Sequence, residues 1–188
     1  MMFLQGAIAS ATSENEFMAF GDALEMFMIG FLVLMAVGLL LTLIMYIFYG
    51  LGMSRIAENE GYSKPWLAWV PIANLFMIPL NVESDVHGWM RGRFTKLFAV
   101  VYIVTVILGA VVPNILATLD TGLGLALYVP LWLIMLVPSL MLAYGFYFIV
   151  ARYSEQRALH MVIMVITLGY SVPFQLFRFR NRESLVLN

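Results

Sequence analysis

Apolar residues in this chain fall in long unbroken runs. They follow neither the three-to-four spacing of a surface helix nor the alternation of a half-buried strand. Four runs contain no Asp, Glu, Lys or Arg: residues 26–50, 97–119, 121–151 and 158–177. A bilayer core about 30 Å thick needs roughly 20 apolar residues in a helix, so each run predicts a span. A fifth apolar stretch, 66–80, is shorter and contains Pro71 and Pro79. Each proline removes a backbone donor, which predicts an interfacial or re-entrant segment rather than a span. The expected fold is all-α: a polytopic transmembrane helix bundle of about four spans plus one short interfacial or re-entrant helix. An extracytoplasmic N-terminal segment, 1–25, precedes a single transmembrane domain, 26–188. Between the second and third runs, Gly122 and Gly124 in "LDTGLG" are expected to supply a tight turn.

Composition sharpens this picture. The chain is 188 residues long, 63% hydrophobic and 11% charged, against about 45–50% and 25% in a soluble domain. A net charge of −1 leaves no basic field to neutralise phosphates, which excludes nucleic acid as a main partner. The chain has no cysteine, so disulfides, thiolate metal sites and thiol nucleophiles are excluded together. The first 25 residues carry Glu14, Glu16, Asp22 and Glu25 but no Lys or Arg. They lack the basic start of a secretory signal, although "AIASA" at 7–11 has the small residues of a cleavage site.

Cation placement orients the spans. If 66–80 does not cross, Arg55, Lys64, Arg91, Arg93, Lys96, Arg152 and Arg157 share one side against Arg178, Arg180 and Arg182. If it does cross, the split is even. The first arrangement places the N-terminus outside and the 51–96 and 152–157 loops in the cytoplasm. A complete fourth span then leaves "FRFRNR" outside. The alternative is that Pro173 bends the last run back, which puts all ten cations inside.

Ionisable residues within a span mark ion or proton pathways. The four runs hold none except His160 near one end, where an interfacial position accounts for it better than a titrating switch. His87 reads as a solvated loop residue, and Glu83, Asp85 and His87 form the only acidic and histidine grouping that a lipid-directed enzyme could use. No serine has a G-x-S-x-G context and no phosphate loop is present. No catalytic residue, metal site or cofactor is therefore expected. Pro113, Asn114, Tyr128 and Ser139 interrupt the spans and are candidates to line a cavity, although Pro and Gly are common kink residues in membrane helices. Gly30, Gly38, Gly109 and Gly145 are candidate points of close helix approach.

The most informative stretch is "RIAENEGYSKPWLAWVPIANLFMIPL", 55–80. Trp66 and Trp69 suit headgroup level, and Lys64 ahead of Pro65 suits a helix start beside anionic lipid. Lys64, Pro65, Trp66, Trp69 and Asn74, with Trp89 and Arg91, are the candidate contacts for a partner protein or lipid. The residues Pro65, Trp66, Leu67, Ala68, Trp69, Val70, Pro71, Asn74 and Leu75 spell a Pro-Trp-Leu-Ala-Trp-(Ile/Val)-Pro-x-x-Asn-Leu pattern. Pro173, Phe177, Arg180 and Asn181 add a Pro-x-x-x-Phe and a following Arg-Asn. In these two regions, roughly 50–80 and 144–182, the chain resembles a family of small multi-pass membrane proteins of Gram-positive bacteria. It departs from that pattern in ending "ESLVLN". The resemblance implies a bacterial inner-membrane protein and carries no activity. Short loops and spans without charge point to a non-enzymatic accessory or scaffold subunit of a membrane complex of the export, secretion or immunity type, partnered by lipids and other membrane subunits. The rival expectation is a carrier for a neutral or apolar small molecule.

Overall fold

The computed structural model describes residues 2–118 and 121–185 and is helical, with no strand among the described residues. Its helices are α1 Met2–Asn59, α2 Asn74–Val82, α3 Phe94–Leu116, α4 Thr121–Met135, α5 Val137–Tyr153, α6 Arg157–Ile166 and α7 Val172–Phe179. Among the described residues, three stretches are long and apolar enough to cross a membrane: Leu24–Asn59 in α1, Phe94–Leu116, and Ala126–Tyr153 through α4 and α5. The chain falls into two compact units, 1–44 and 45–188.

In the first unit α1 runs from Met2, so residues 2–25 of the expected N-terminal segment are helical and continuous with the first span. From Leu24 to Ile44 every side chain is exposed. Gly30 and Gly38 have no neighbour within 4 Å of where a Cβ would stand, and they mark no close approach.

The second unit holds the core. Met53, Ile56, Met77, Val82, Phe94, Phe146, Ile149 and Leu176 are buried there, with α2 packed against α3 and α5. Gly145 lets α5 approach α2: a Cβ there would meet Ile78 Cγ2 at 2.9 Å. At Gly109 the nearest atom is the flexible end of Met135, at 2.8 Å. The third predicted span is one crossing built from two helices. Leu136 interrupts it just before Pro138, whose missing N–H cannot continue the ladder. Gly122 and Gly124 lie inside α4 rather than in the turn, and Leu119 and Asp120 of that turn lie outside the described residues.

The predicted fourth span is replaced by a helical hairpin. α6 has 10 residues, about 15 Å of helix, half the core thickness. It ends in a Schellman cap, with Gly169 N–H donating to Met164 O at 2.8 Å and Leu168 N–H to Val165 O at 3.1 Å. Leu168 (φ 51°) and Gly169 (φ 87°) turn the chain back, and Pro173 sits in the first turn of α7, where its missing donor costs nothing. The hairpin returns to the end it left: Leu185 N–H donates to Arg152 O at 2.7 Å, and Asn59 Nδ2 to Arg180 O at 3.3 Å.

The stretch 66–80 is a second hairpin of the same kind. A single 3₁₀ turn, Pro65–Trp69, leads through Val70–Ala73 into α2. Its base also closes at the Arg152 end, where Tyr62 Oη donates to Leu80 O and Asp85 meets Arg152.

Candidate functional site

The polar end of the second unit gathers charges from four places in the sequence. Arg152, in the last turn of α5, is buried. Its Nε and Nη2 both lie 2.6 Å from Asp85 Oδ2, Nη1 lies 3.2 Å from Glu60 Oε1, and Nη2 also donates to Asn81 O at 2.8 Å. Tyr153 Oη donates to the same Glu60 Oε1 at 2.7 Å. One guanidinium, itself buried, thus ties the end of α1, the residues after α2 and the end of α5 together through two half-buried carboxylates. Asn81 donates through Nδ2 to Met77 O at 2.8 Å, while its buried Oδ1 has no partner. At the edge of this network burial raises the pKa of Tyr62 above its ordinary value. The nearby Glu83, Glu60 and Asp85 act in the same direction and Arg152 opposes them.

Beside the network lies a cleft of about 520 Å³. Arg55, Asn59 and Glu60 line it from α1, Tyr153 from α5, and residues 180–184 from the segment after α7. Arg182 Nη1 donates to Tyr153 O at 3.2 Å. The Arg180 guanidinium stands 3.7 Å over the Phe177 ring, which uses its face and leaves its in-plane N–H edges for other acceptors.

The hairpin of α6 and α7 carries a polar ladder. Gln175 Oε1 accepts from His160 Nδ1 at 2.9 Å, and Gln175 Nε2 donates to His160 O at 3.3 Å and Ser171 Oγ at 2.9 Å. The amide orientation fixed by those donations requires the His160 proton on Nδ1. Thr167 Oγ1 continues the ladder, 2.8 Å from Ser171 Oγ and 2.7 Å from Ile163 O. His160 is therefore buried, with its ring edge-on to Phe179.

The structure divides the predicted contact residues. Trp69 covers Gly50, where a Cβ would stand 2.9 Å from the ring, and its carbonyl accepts from Tyr46 Oη. Asn74 O accepts from Tyr49 Oη at 2.8 Å. Ala68 is fully buried and Pro65 opens the 3₁₀ turn. Much of the Pro-Trp-Leu-Ala-Trp pattern thus docks on α1. Lys64, Trp66, Trp89 and Arg91 remain exposed. Pro113, Asn114, Tyr128 and Ser139 are also exposed, on three different helices, and none lines the cleft. Asn114 Nδ2 donates within α3 to Ala110 O at 2.6 Å, and Tyr128 packs against Trp132.

Glu83, Asp85 and His87 do not converge. Glu83 Oε2 accepts from Thr95 Oγ1 at 2.8 Å, Asp85 faces Arg152, and His87 packs edge-on to Phe148. Among the described residues no three His, Cys, Asp or Glu side chains group as metal ligands. Sequence reasoning passed over Glu60, Arg152, Tyr153, Gln175 and Arg180. The available signal was that Arg152 adjoins the end of a charge-free run while Glu60 and Asp85 lie close beyond two other apolar stretches. No family model, curated protein or solved structure matches the chain.

Proposed function

We propose that this chain is a non-enzymatic subunit of a bacterial inner-membrane complex, crossing three times with its N-terminus outside. Three crossings and two returning hairpins put all ten Lys and Arg on the cytoplasmic side. That is a sharper positive-inside bias than the seven-to-three split of a four-span bundle. The apolar tip of the second hairpin supports the same reading: Ile166, Leu168 and Tyr170 are highly exposed and suit contact with lipid.

The scaffold reading rests on one observation. The charges of Arg152, Asp85 and Glu60 at the polar end are spent on one another, while Trp66 and Trp89 stand outward beside Lys64 and Arg91. A network closed on itself fixes geometry, and large exposed rings with nearby cations suit docking. Gentle-detergent purification of the tagged protein from its native membrane, with identification of copurifying chains, is expected to return a stoichiometric membrane partner that is lost on W89A/W66A. Recovery of a monomer or homo-oligomer alone overturns the subunit reading and favours the carrier. Orientation is tested separately. Because the chain has no cysteine, single cysteines need no background removal. Cysteines at Ser13 and Asn181 are expected to label from opposite sides of sealed vesicles; labelling from one side overturns the three-crossing topology.

A further inference from the structure

We infer that the cleft bounded by Arg55, Asn59, Tyr153, Arg180 and Arg182 binds the phosphate of an anionic glycerophospholipid. Its charge balance favours an anion. Arg55, Arg180 and Arg182 line it against Glu60 and Glu183, and Glu60 is already met by Arg152 at 3.2 Å. Arg55 is paired with Glu58 at 2.7 Å, but both side chains are about half exposed, so this pair holds Arg55 weakly against a competing phosphate. Arg180 is preset by its stack on Phe177, a planar fork suited to two phosphate oxygens.

Depth points to a lipid rather than a soluble anion. Arg55 lies one turn past Leu51, the last exposed large apolar side chain of α1, and Asn59 one turn further. At 1.5 Å per residue these span about the 5–8 Å of a headgroup layer. Phe177, stacked under Arg180 of the cleft, packs with Phe174 on Phe48 at ring separations of 4.7 and 4.9 Å, which offers acyl chains an apolar wall beside that residue. The cleft volume, about 520 Å³, is within the range of small-molecule sites. The depth argument rests on the three-crossing reading, whereas the site itself does not depend on a protein partner.

The test is native mass spectrometry and thermal unfolding of the full chain in detergent, with phosphatidylglycerol, phosphatidylcholine or inorganic phosphate added. The expected result is about one retained phosphatidylglycerol per chain and a melting temperature raised by that lipid alone. R180Q/R182Q is expected to weaken retention at least tenfold, while K96Q, an exposed cation outside the cleft, retains the lipid. Equal retention by wild type and R180Q/R182Q overturns the proposal, as does an equal shift from inorganic phosphate. If the double variant does not fold, wild-type protein is decisive: anionic lipid no more abundant in it than in the bulk membrane extract overturns the site. Failure of the three-crossing topology shows separately, in the cysteine labelling.

Discussion

The two hairpins solve one problem in different ways. On the three-crossing reading, each turns within the bilayer and leaves non-helical backbone where water is scarce, so its polar groups need protein partners. The hairpin of residues 65–82 borrows them: Tyr46 and Tyr49 of α1 donate to the carbonyls of Trp69 and Asn74. The hairpin of α6 and α7 supplies its own, through its Schellman cap and the Thr167–Ser171–Gln175–His160 ladder. The first is therefore an extension of α1. The second carries its internal order and needs α1 chiefly as a surface.

Breaking the shared base tests both at once. Arg152→Met leaves Asp85 and Glu60 facing each other without their cation and orphans Asn81 O. Removing one member of a fully buried ion pair costs about 3–5 kcal/mol, and the partial exposure of Asp85 and Glu60 lowers that cost here. We expect R152M to lose most of its stability in detergent, read from thermal unfolding, with R152K recovering part of it. A loss below about 1 kcal/mol would mean the network is wetter than its burial indicates.

Close packing on α1 separates the hairpins next. A Cβ at Gly52 would lie 2.6 Å from both Leu176 C and Phe177 N, whereas at Gly50 it meets only the Trp69 ring, at 2.9 Å. Backbone cannot step aside as a side chain can, so Gly52→Ala is expected to cost about 1–3 kcal/mol and Gly50→Ala less. The readout is differential: G52A should raise hydrogen exchange in α7, and G50A in residues 65–74. The same exchange pattern in both variants would dissolve the distinction between the two docking modes.

Hydrogen-bond deletions probe the borrowed and internal solutions directly. Gln175→Leu strands His160 Nδ1 in a buried site, a loss of about 1–3 kcal/mol. Tyr49→Phe removes one donor to Asn74 O while Tyr46 still holds Trp69 O, for about 1 kcal/mol. Thermal melts of Q175L and Y49F, alone and combined, should be additive if the hairpins are independent. Coupling above about 0.5 kcal/mol would show that they fold as one unit.

What the sequence reveals follows from this physics. Length and absence of charge mark 26–50, 97–119 and 121–151 because a span needs both, and the prolines at 71 and 79 mark the first hairpin. The second hairpin is legible only as the alternative in which the last run bends back, because Thr167 to Ser171 carries no charge and the reversal sits not at Pro173 but at a left-handed Leu168 that no residue preference predicts. Gly50 and Gly52 escape notice because their partners, Trp69 and Leu176, are distant in sequence. Arg152 reads as an ordinary loop cation until folding brings Glu60 and Asp85 to it.

Leu168 gives the smallest expected effect and a sensitive test of the second hairpin's surroundings. A non-glycine residue in the left-handed region costs about 1–2 kcal/mol, and Leu168 is 86% exposed, so no protein contact offsets that strain. If water surrounds the tip, Leu168→Gly should stabilise the protein by about 1 kcal/mol, since glycine is the favoured residue at this cap position. If the tip lies among acyl chains, removing the leucine forfeits transfer free energy of about 1.5–3 kcal/mol, which cancels the relief. The expected outcome in bilayer nanodiscs is therefore no gain, and Leu168→Asp is expected to be worse by a further 2 kcal/mol or about that. A clean stabilisation by L168G would place the tip in water, and the hairpin would then be a surface feature whose ladder serves only its own fold.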